Sequence, residues 1–141
     1  MAAELHTEGL QFLLEVAFTE EQSVPANFHI GLAEDTELAE NAALADITEL
    51  SGNGYARQTV ASSTAGLTSA GTGTNDRKVT TITVLFTASG GAWNTAYTVF
   101  LATTSDDSGK LIASAPINSG SGYTLADGEN YEVAMEIVLT G

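Results

Sequence analysis

The chain opens on a helical rhythm of apolar residues and then changes to a rhythm of two. In "HTEGLQFLLEVAFTEEQSVP", Leu10, Leu13, Leu14 and Ala17 recur at the i, i+3, i+4, i+7 spacing of one helix face. Phe12, Val16 and Phe18 widen that face. Thr7 fits an N-cap, and Glu8 falls in the first turn, where the helix dipole favours negative charge. The pattern predicts a helix over about residues 8 to 18, and Pro25 forbids its continuation. So apolar a helix must dock on its own sheet or on a neighbouring subunit.

Beyond Pro25 the alternation is that of strands. In "NFHIGLA", Phe28, Ile30 and Leu32 share one face while His29 and Gly31 take the other. "EDTELAENAALADITEL" reads as a loop with one short helical turn. "SGNG" is a turn, and "YARQTVA" is a strand. "SSTAGLTSAGTGTNDRK", rich in Ser, Thr and Gly, reads as a surface loop. "VTTITVLFTA" is one strand in which Ile82, Val84 and Phe86 alternate with Thr81, Thr83 and Leu85. "YTVFLATT" is nearly continuous in hydrophobicity, so both of its faces should be covered. "KLIASA" is a short strand ended by Pro116, after the turn "SDDSG". "NSGSGYTLADGEN" is a loop that ends on an Asp-Gly turn. "YEVAMEIVLT" is a long closing strand, with Tyr131, Val133, Met135, Ile137 and Leu139 on one face and Glu132, Ala134, Glu136, Val138 and Thr140 on the other. One helix followed by six or seven strands predicts a mainly β fold, a β-sandwich or jelly roll with one N-terminal helix across an end or face. Residues 1–24 form the helix or arm and 25–141 the sandwich of a single domain, without internal repeats.

Composition narrows the function. A domain of 141 residues buries roughly 65 to 70% of its unfolded surface and needs no covalent staple. The absence of cysteine excludes disulfides, thiolate metal sites and cysteine nucleophiles. Four basic residues stand against 18 acidic ones, a formal charge of −14. Phosphate backbones are bound by clustered Lys and Arg, so the balance argues against nucleic acid and against an anionic membrane surface. The apolar run from Phe12 to Phe18 is interrupted by Glu15 and too short to span a bilayer. Glu4 and Glu8 stand where a cleavable signal would carry Lys or Arg.

Candidate chemistry is sparse. His6 lies in an N-terminal segment expected to fray, and His29 alternates out of a strand. No Gly-x-Ser-x-Gly elbow accompanies them, and nucleophilic catalysis needs an oriented base beside the nucleophile. Glu20/Glu21, Glu34/Asp35 and Asp106/Asp107 fall in predicted loops, where an acidic chain produces carboxylate pairs by chance. "TSDDSGK" and "LADGEN" carry acidic side chains that could meet calcium, but neither has the spacing of an EF-hand, and Asp in such turns caps backbone. No enzyme and no cofactor are expected. Arg57, just after "SGNG", lacks the Gly-Lys-Ser/Thr ending of a phosphate loop and is expected to order a loop or cross a subunit contact by a bidentate carboxylate pairing.

The ordered set of "T-x-G-x-x-x-L-L" (Thr7, Gly9, Leu13, Leu14), the strand Phe28 to Leu32, "LADITELSGNGYAR" from Leu44 to Arg57, Phe86 to Trp93 and Val99 to Ser114 resembles a family of tailed-bacteriophage virion proteins. The resemblance covers nearly the whole chain. It implies a small β-sandwich that assembles and performs no chemistry: a capsid decoration (cement) protein on the head exterior, often trimeric and bound to the major capsid protein. A tail-tip, collar or fibre-base subunit is the alternative. The loops "AEDTELAENAALAD" and "TSAGTGTNDRK" depart from the family pattern as partner-specific arms. Expected interface residues are Leu10, Leu13, Leu14, Arg57 and Trp93. A rival of another class is a carbohydrate-binding module with Trp93, Tyr97 and Tyr123 as stacking platforms.

Overall fold

The computed structural model describes residues 1–71 and 76–139. Among the described residues, ten strands and one α-helix make a mainly β, sandwich-like fold. The strands are β1 (Ala2–Leu5), β2 (Asn27–Ala33), β3 (Gln58–Ala61), β4 (Leu67–Gly71), β5 (Arg77–Thr81), β6 (Val84–Thr87), β7 (Thr98–Ala102), β8 (Leu111–Pro116), β9 (Asn130–Val133) and β10 (Glu136–Leu139). Helix α1 covers Thr7–Leu14 and runs on through a π-helical turn, Glu15–Thr19. Eight strands form one sheet in the order β3-β2-β7-β8-β1-β10-β5-β4, and β6 pairs with β9 as a second, smaller sheet.

The first residues are strand, not a fraying arm. Glu4 and Leu5 pair antiparallel with β8, while Ala2 and Ala3 pair parallel with β10. β1 therefore joins the half-sheet β3-β2-β7-β8 to the half-sheet β10-β5-β4. A strand this short shows no alternation that a sequence pattern can register.

Two of the expected single strands are each broken in two. "VTTITVLFTA" becomes β5 and β6, and "YEVAMEIVLT" becomes β9 and β10, with the halves in different sheets. Both breaks lie at one corner. The Thr81 N–H donates to the Met135 carbonyl at 3.0 Å, and the Met135 N–H donates to Thr81 Oγ1 at 3.0 Å. The switch re-aims the alternation: Val84 and Phe86 are buried, but Ile82 and Leu85 are exposed. Val133 and Met135 are buried while Leu139 is exposed. Thr140 lies outside the described residues. The supposed surface loop 62–78 contains β4 and the first two residues of β5, a hairpin whose strands leave few buried side chains to betray them. Of "TSAGTGTNDRK", residues 72–75 lie outside the described residues.

The main core fills the space between the sheets. Ile30 and Leu32 of β2 and Val99 and Leu101 of β7 meet Phe86 of β6 and Val133 of β9 there. On the opposite face of the large sheet, Ala33, Phe100, Ala102 and Leu111 are covered by Leu38, Leu44 and Ile47. β7 is thus buried on both faces, as its unbroken hydrophobicity predicts. The acidic loop 34–48 is the cover and not a free arm. The Thr7 N–H donates to the Glu40 carbonyl at 2.9 Å, and the Leu44 N–H donates to Glu8 Oε2 at 3.1 Å. His6 is buried beneath it rather than frayed. Its Nε2 lies 2.6 Å from Ser114 Oγ, and its Nδ1 lies 3.0 Å from the Ala39 carbonyl.

Helix α1 docks on a different face from the one its leucines suggest. Gly9 and Phe12 are buried; Leu10, Leu13 and Leu14 are not. A Cβ built on Gly9 would sit 2.2 Å from the Ile112 carbonyl oxygen, so the missing side chain lets the helix backbone lie directly on β8. Phe12 then meets Phe28 edge-on, with ring centroids 6.5 Å apart. The N-cap position is His6, not Thr7.

Candidate functional site

Three places gather side chains that could act: a buried polar network at Arg57, a His-Ser pair under the 34–48 loop, and an apolar surface around α1.

The Arg57 network begins with a turn. Gly52, Asn53 and Gly54 all have positive φ, which the Gly-Asn-Gly step makes possible without strain. The turn carries Tyr55 and Arg57 back across the sheet. Arg57 Nε donates to Glu49 Oε1 at 2.9 Å and its NH2 donates to Glu49 Oε2 at 2.6 Å, a bidentate pair. The same guanidinium donates to the Thr104 carbonyl at 3.0 Å and to Asp107 Oδ1 at 2.6 Å. Its centre lies 5.1 Å from the Phe100 ring centroid, within cation–π range. The Tyr55 hydroxyl donates to Glu49 Oε1 at 2.6 Å. Burial, and then the Glu49 carboxylate, push that hydroxyl far above the usual tyrosine range, so it stays a neutral donor. The Arg57 side chain is 3% exposed, and its donors are taken by the 103–109 loop and by Glu49. It orders that loop within the chain.

Trp93 is likewise internal. Its indole N–H donates to the Asn53 carbonyl at 2.8 Å, and its ring stands edge-on to Tyr55 and Phe86. It is 4% exposed, so its faces are already in protein contact. Tyr123 stacks on Tyr131 at 5.3 Å and stands apart from Trp93.

The His6–Ser114 pair has the reach of a nucleophile and its base. Ser114 also lines a depression of about 480 Å³ with Glu4, Thr36 and Glu37. The imidazole, however, is oriented by loop carbonyls, with no carboxylate on its other nitrogen. Both residues are buried, and Ser114 sits within β8, paired with Glu4 of β1 on one side and Phe100 of β7 on the other. The pair ties the covering loop to the sheet. His29 is half-buried with Nδ1 lacking a partner among the described residues. Burial first, and then the Arg57 charge, hold it below the ordinary histidine value of 6.5.

In two of the acidic loops, Asp106 and Asp127 hold backbone. Asp106 Oδ1 accepts from the Ser108 N–H at 2.9 Å, and Asp127 Oδ1 accepts from the N–H groups of Gly90 and Gly91. Among the described residues, no three His, Asp or Glu side chains are placed to hold one metal ion.

The apolar surface is the remaining concentration of side chains without an internal role. Leu10 and Leu14, one turn apart on α1, are about half exposed, and Phe18 in the π-helical turn is 79% exposed. Beside them Leu13 forms one wall of an apolar groove of about 250 Å³, with Phe28, Leu67, Ile137 and Leu139 among its lining. Arg77 is part of its lining, while the Lys78 side chain lies on the other face of β5 and β10 with Glu136. Of the five residues expected at an interface, the structure brings Leu10, Leu13 and Leu14 together on this surface and puts Arg57 and Trp93 inside. Phe18 and the groove are new. Periodicity places Phe18 in the core stripe, and a groove built from eight separated elements leaves no local trace in a sequence.

No protein-family model matches the chain, and no curated protein sequence matches it. Among the described residues no helix is long and apolar enough to cross a membrane.

Proposed function

We propose that the chain is a non-enzymatic structural subunit that works by contact between surfaces, decorating the exterior of a tailed-bacteriophage head as a trimeric cement protein bound to the major capsid protein. The observation that carries the reading is the Leu10–Leu14 stripe. Gly9 and Phe12 clamp the opposite face of α1 to the sheet, so the stripe is presented on a rigid element and needs no ordering when it binds. The best-placed polar groups, at Arg57 and at His6, face inward and brace loops. The virion partner itself comes from the ordered sequence resemblance. A surface with net charge −14 keeps the free subunit soluble and repels other copies away from the apolar patch.

Co-sedimentation with purified capsid shells tests this. Wild-type protein should pellet with shells, and the double variant Leu10→Ser/Leu14→Ser should bind about tenfold or more weakly while keeping its melting temperature. Shells that ignore the wild-type protein, or bind the double variant equally well, would sink the reading. Labelled protein found only on tails would move it to a tail-tip, collar or fibre-base role.

A further inference from the structure

We infer that the apolar groove is the receptor for the Phe18 segment of a second copy of this chain, giving a head-to-tail contact between subunits. This deepens the reading of the chain as a self-assembling subunit and rests on it.

The two halves of the contact have matched chemistry. The groove is lined almost wholly by carbon, and its lining includes Arg77, one of the four basic residues in the chain. The other three are engaged elsewhere: Arg57 with Glu49, Lys110 with Glu8 at 3.6 Å, and Lys78 with Glu136 at 3.1 Å on the opposite face of β5 and β10. Arg77 has no carboxylate within ion-pair distance among the described residues, so it is the cation there that is left without an acidic side-chain partner.

The segment that matches it leaves α1 through the π-helical turn. Residues 17–24 are exposed throughout. Phe18 is at the front, and Glu20 and Glu21 follow, with Glu20 turning the chain at a positive φ of 56°. An aromatic ring followed two residues later by a pair of carboxylates complements an apolar slot beside Arg77. Size agrees as well: a cavity of roughly 150 Å³ lined by aliphatic and aromatic side chains already takes a benzene ring. The chain's own Phe18 is not in its own groove, since its side chain is almost fully exposed. Segment and groove are different surfaces, so the contact is heterologous. Copies joined this way close into a ring when the rotation permits.

Sedimentation velocity over a concentration series tests the inference with three proteins. Wild type should self-associate. Phe18→Ser (segment lost) and Leu139→Glu (groove blocked) should each weaken association about 10- to 100-fold, the range expected for one buried aromatic side chain. Both substituted positions are exposed, and circular dichroism melts should match wild type. A 1:1 mixture of the two variants should then form dimers, because each pair retains one intact segment and one intact groove. A monomeric wild type, variants that associate normally, or a mixture that stays monomeric would each overturn the inference. Capsid binding measured in parallel separates it from the function: monomers that still coat shells refute the contact alone, whereas rings that ignore shells refute the capsid role alone.

Discussion

At the scale of single residues, the fate of Arg57 follows from counting partners and weighing their exposure. It touches two carboxylates, but they are not equivalent. Glu49 is 21% exposed and bidentate, whereas Asp107 is 67% exposed and held by one nitrogen. Solvent screens the second pair, and exposed pairs contribute about 0 to 1 kcal/mol. The first is shielded, and removing one partner strands the other charge at a cost of about 3 to 5 kcal/mol. Urea titration should therefore find Arg57→Ala destabilised by about 3 kcal/mol or more and Asp107→Asn by under about 0.5 kcal/mol. Arg57→Lys should fall between them, since an ammonium cannot reproduce the planar fork that meets Glu49, Asp107 and the Thr104 carbonyl together.

At the scale of elements, one glycine decides which side of α1 is inside. The helix has two apolar stripes, Leu10/Leu13/Leu14/Ala17 and Phe12/Val16. Periodicity ranks the first higher because it holds more leucine. The sheet takes the second because Gly9 permits contact between the backbones of α1 and β8, and burying Phe12 follows from that approach. Gly9→Ala should gain helix propensity yet lose stability, by about 1 to 3 kcal/mol, since the atom in the way is backbone and cannot step aside. A melting temperature that rises on this substitution would show that α1 is free to shift. The sheet-switching corner makes a similar point. Thr81 and Met135 bind each other across the break, and neither strand alone signals that it will leave its sheet there.

At the scale of the whole molecule, charge sets solution behaviour. With −14 spread over one small domain, like charges repel in the folded state more than in the expanded chain. Salt shortens the reach of that repulsion to about 8 Å at physiological ionic strength. Raising sodium chloride from about 10 to 150 mM should accordingly raise the melting temperature by a few degrees, the shift that about 1 kcal/mol produces in a domain of this size. A melting temperature that falls would mean that the few attractive pairs, such as Lys78–Glu136 and Lys110–Glu8, outweigh the net repulsion.

The order of residues by itself determined the mainly β class, the early helix, the Gly-Asn-Gly turn and the double burial of β7, because each rests on spacing between near neighbours. It also implied that Arg57 would be tied to carboxylates, since so few cations stand among so many acids. Tertiary structure alone decided that the first residues are a strand between two half-sheets, that two long strands divide at a shared corner, and that Leu10, Leu14 and Phe18 point outward beside a groove. Those outcomes depend on pairings between residues far apart in the chain, as between β1 and β10 or Thr81 and Met135, and on steric fit at one close approach. Periodicity carries no record of either.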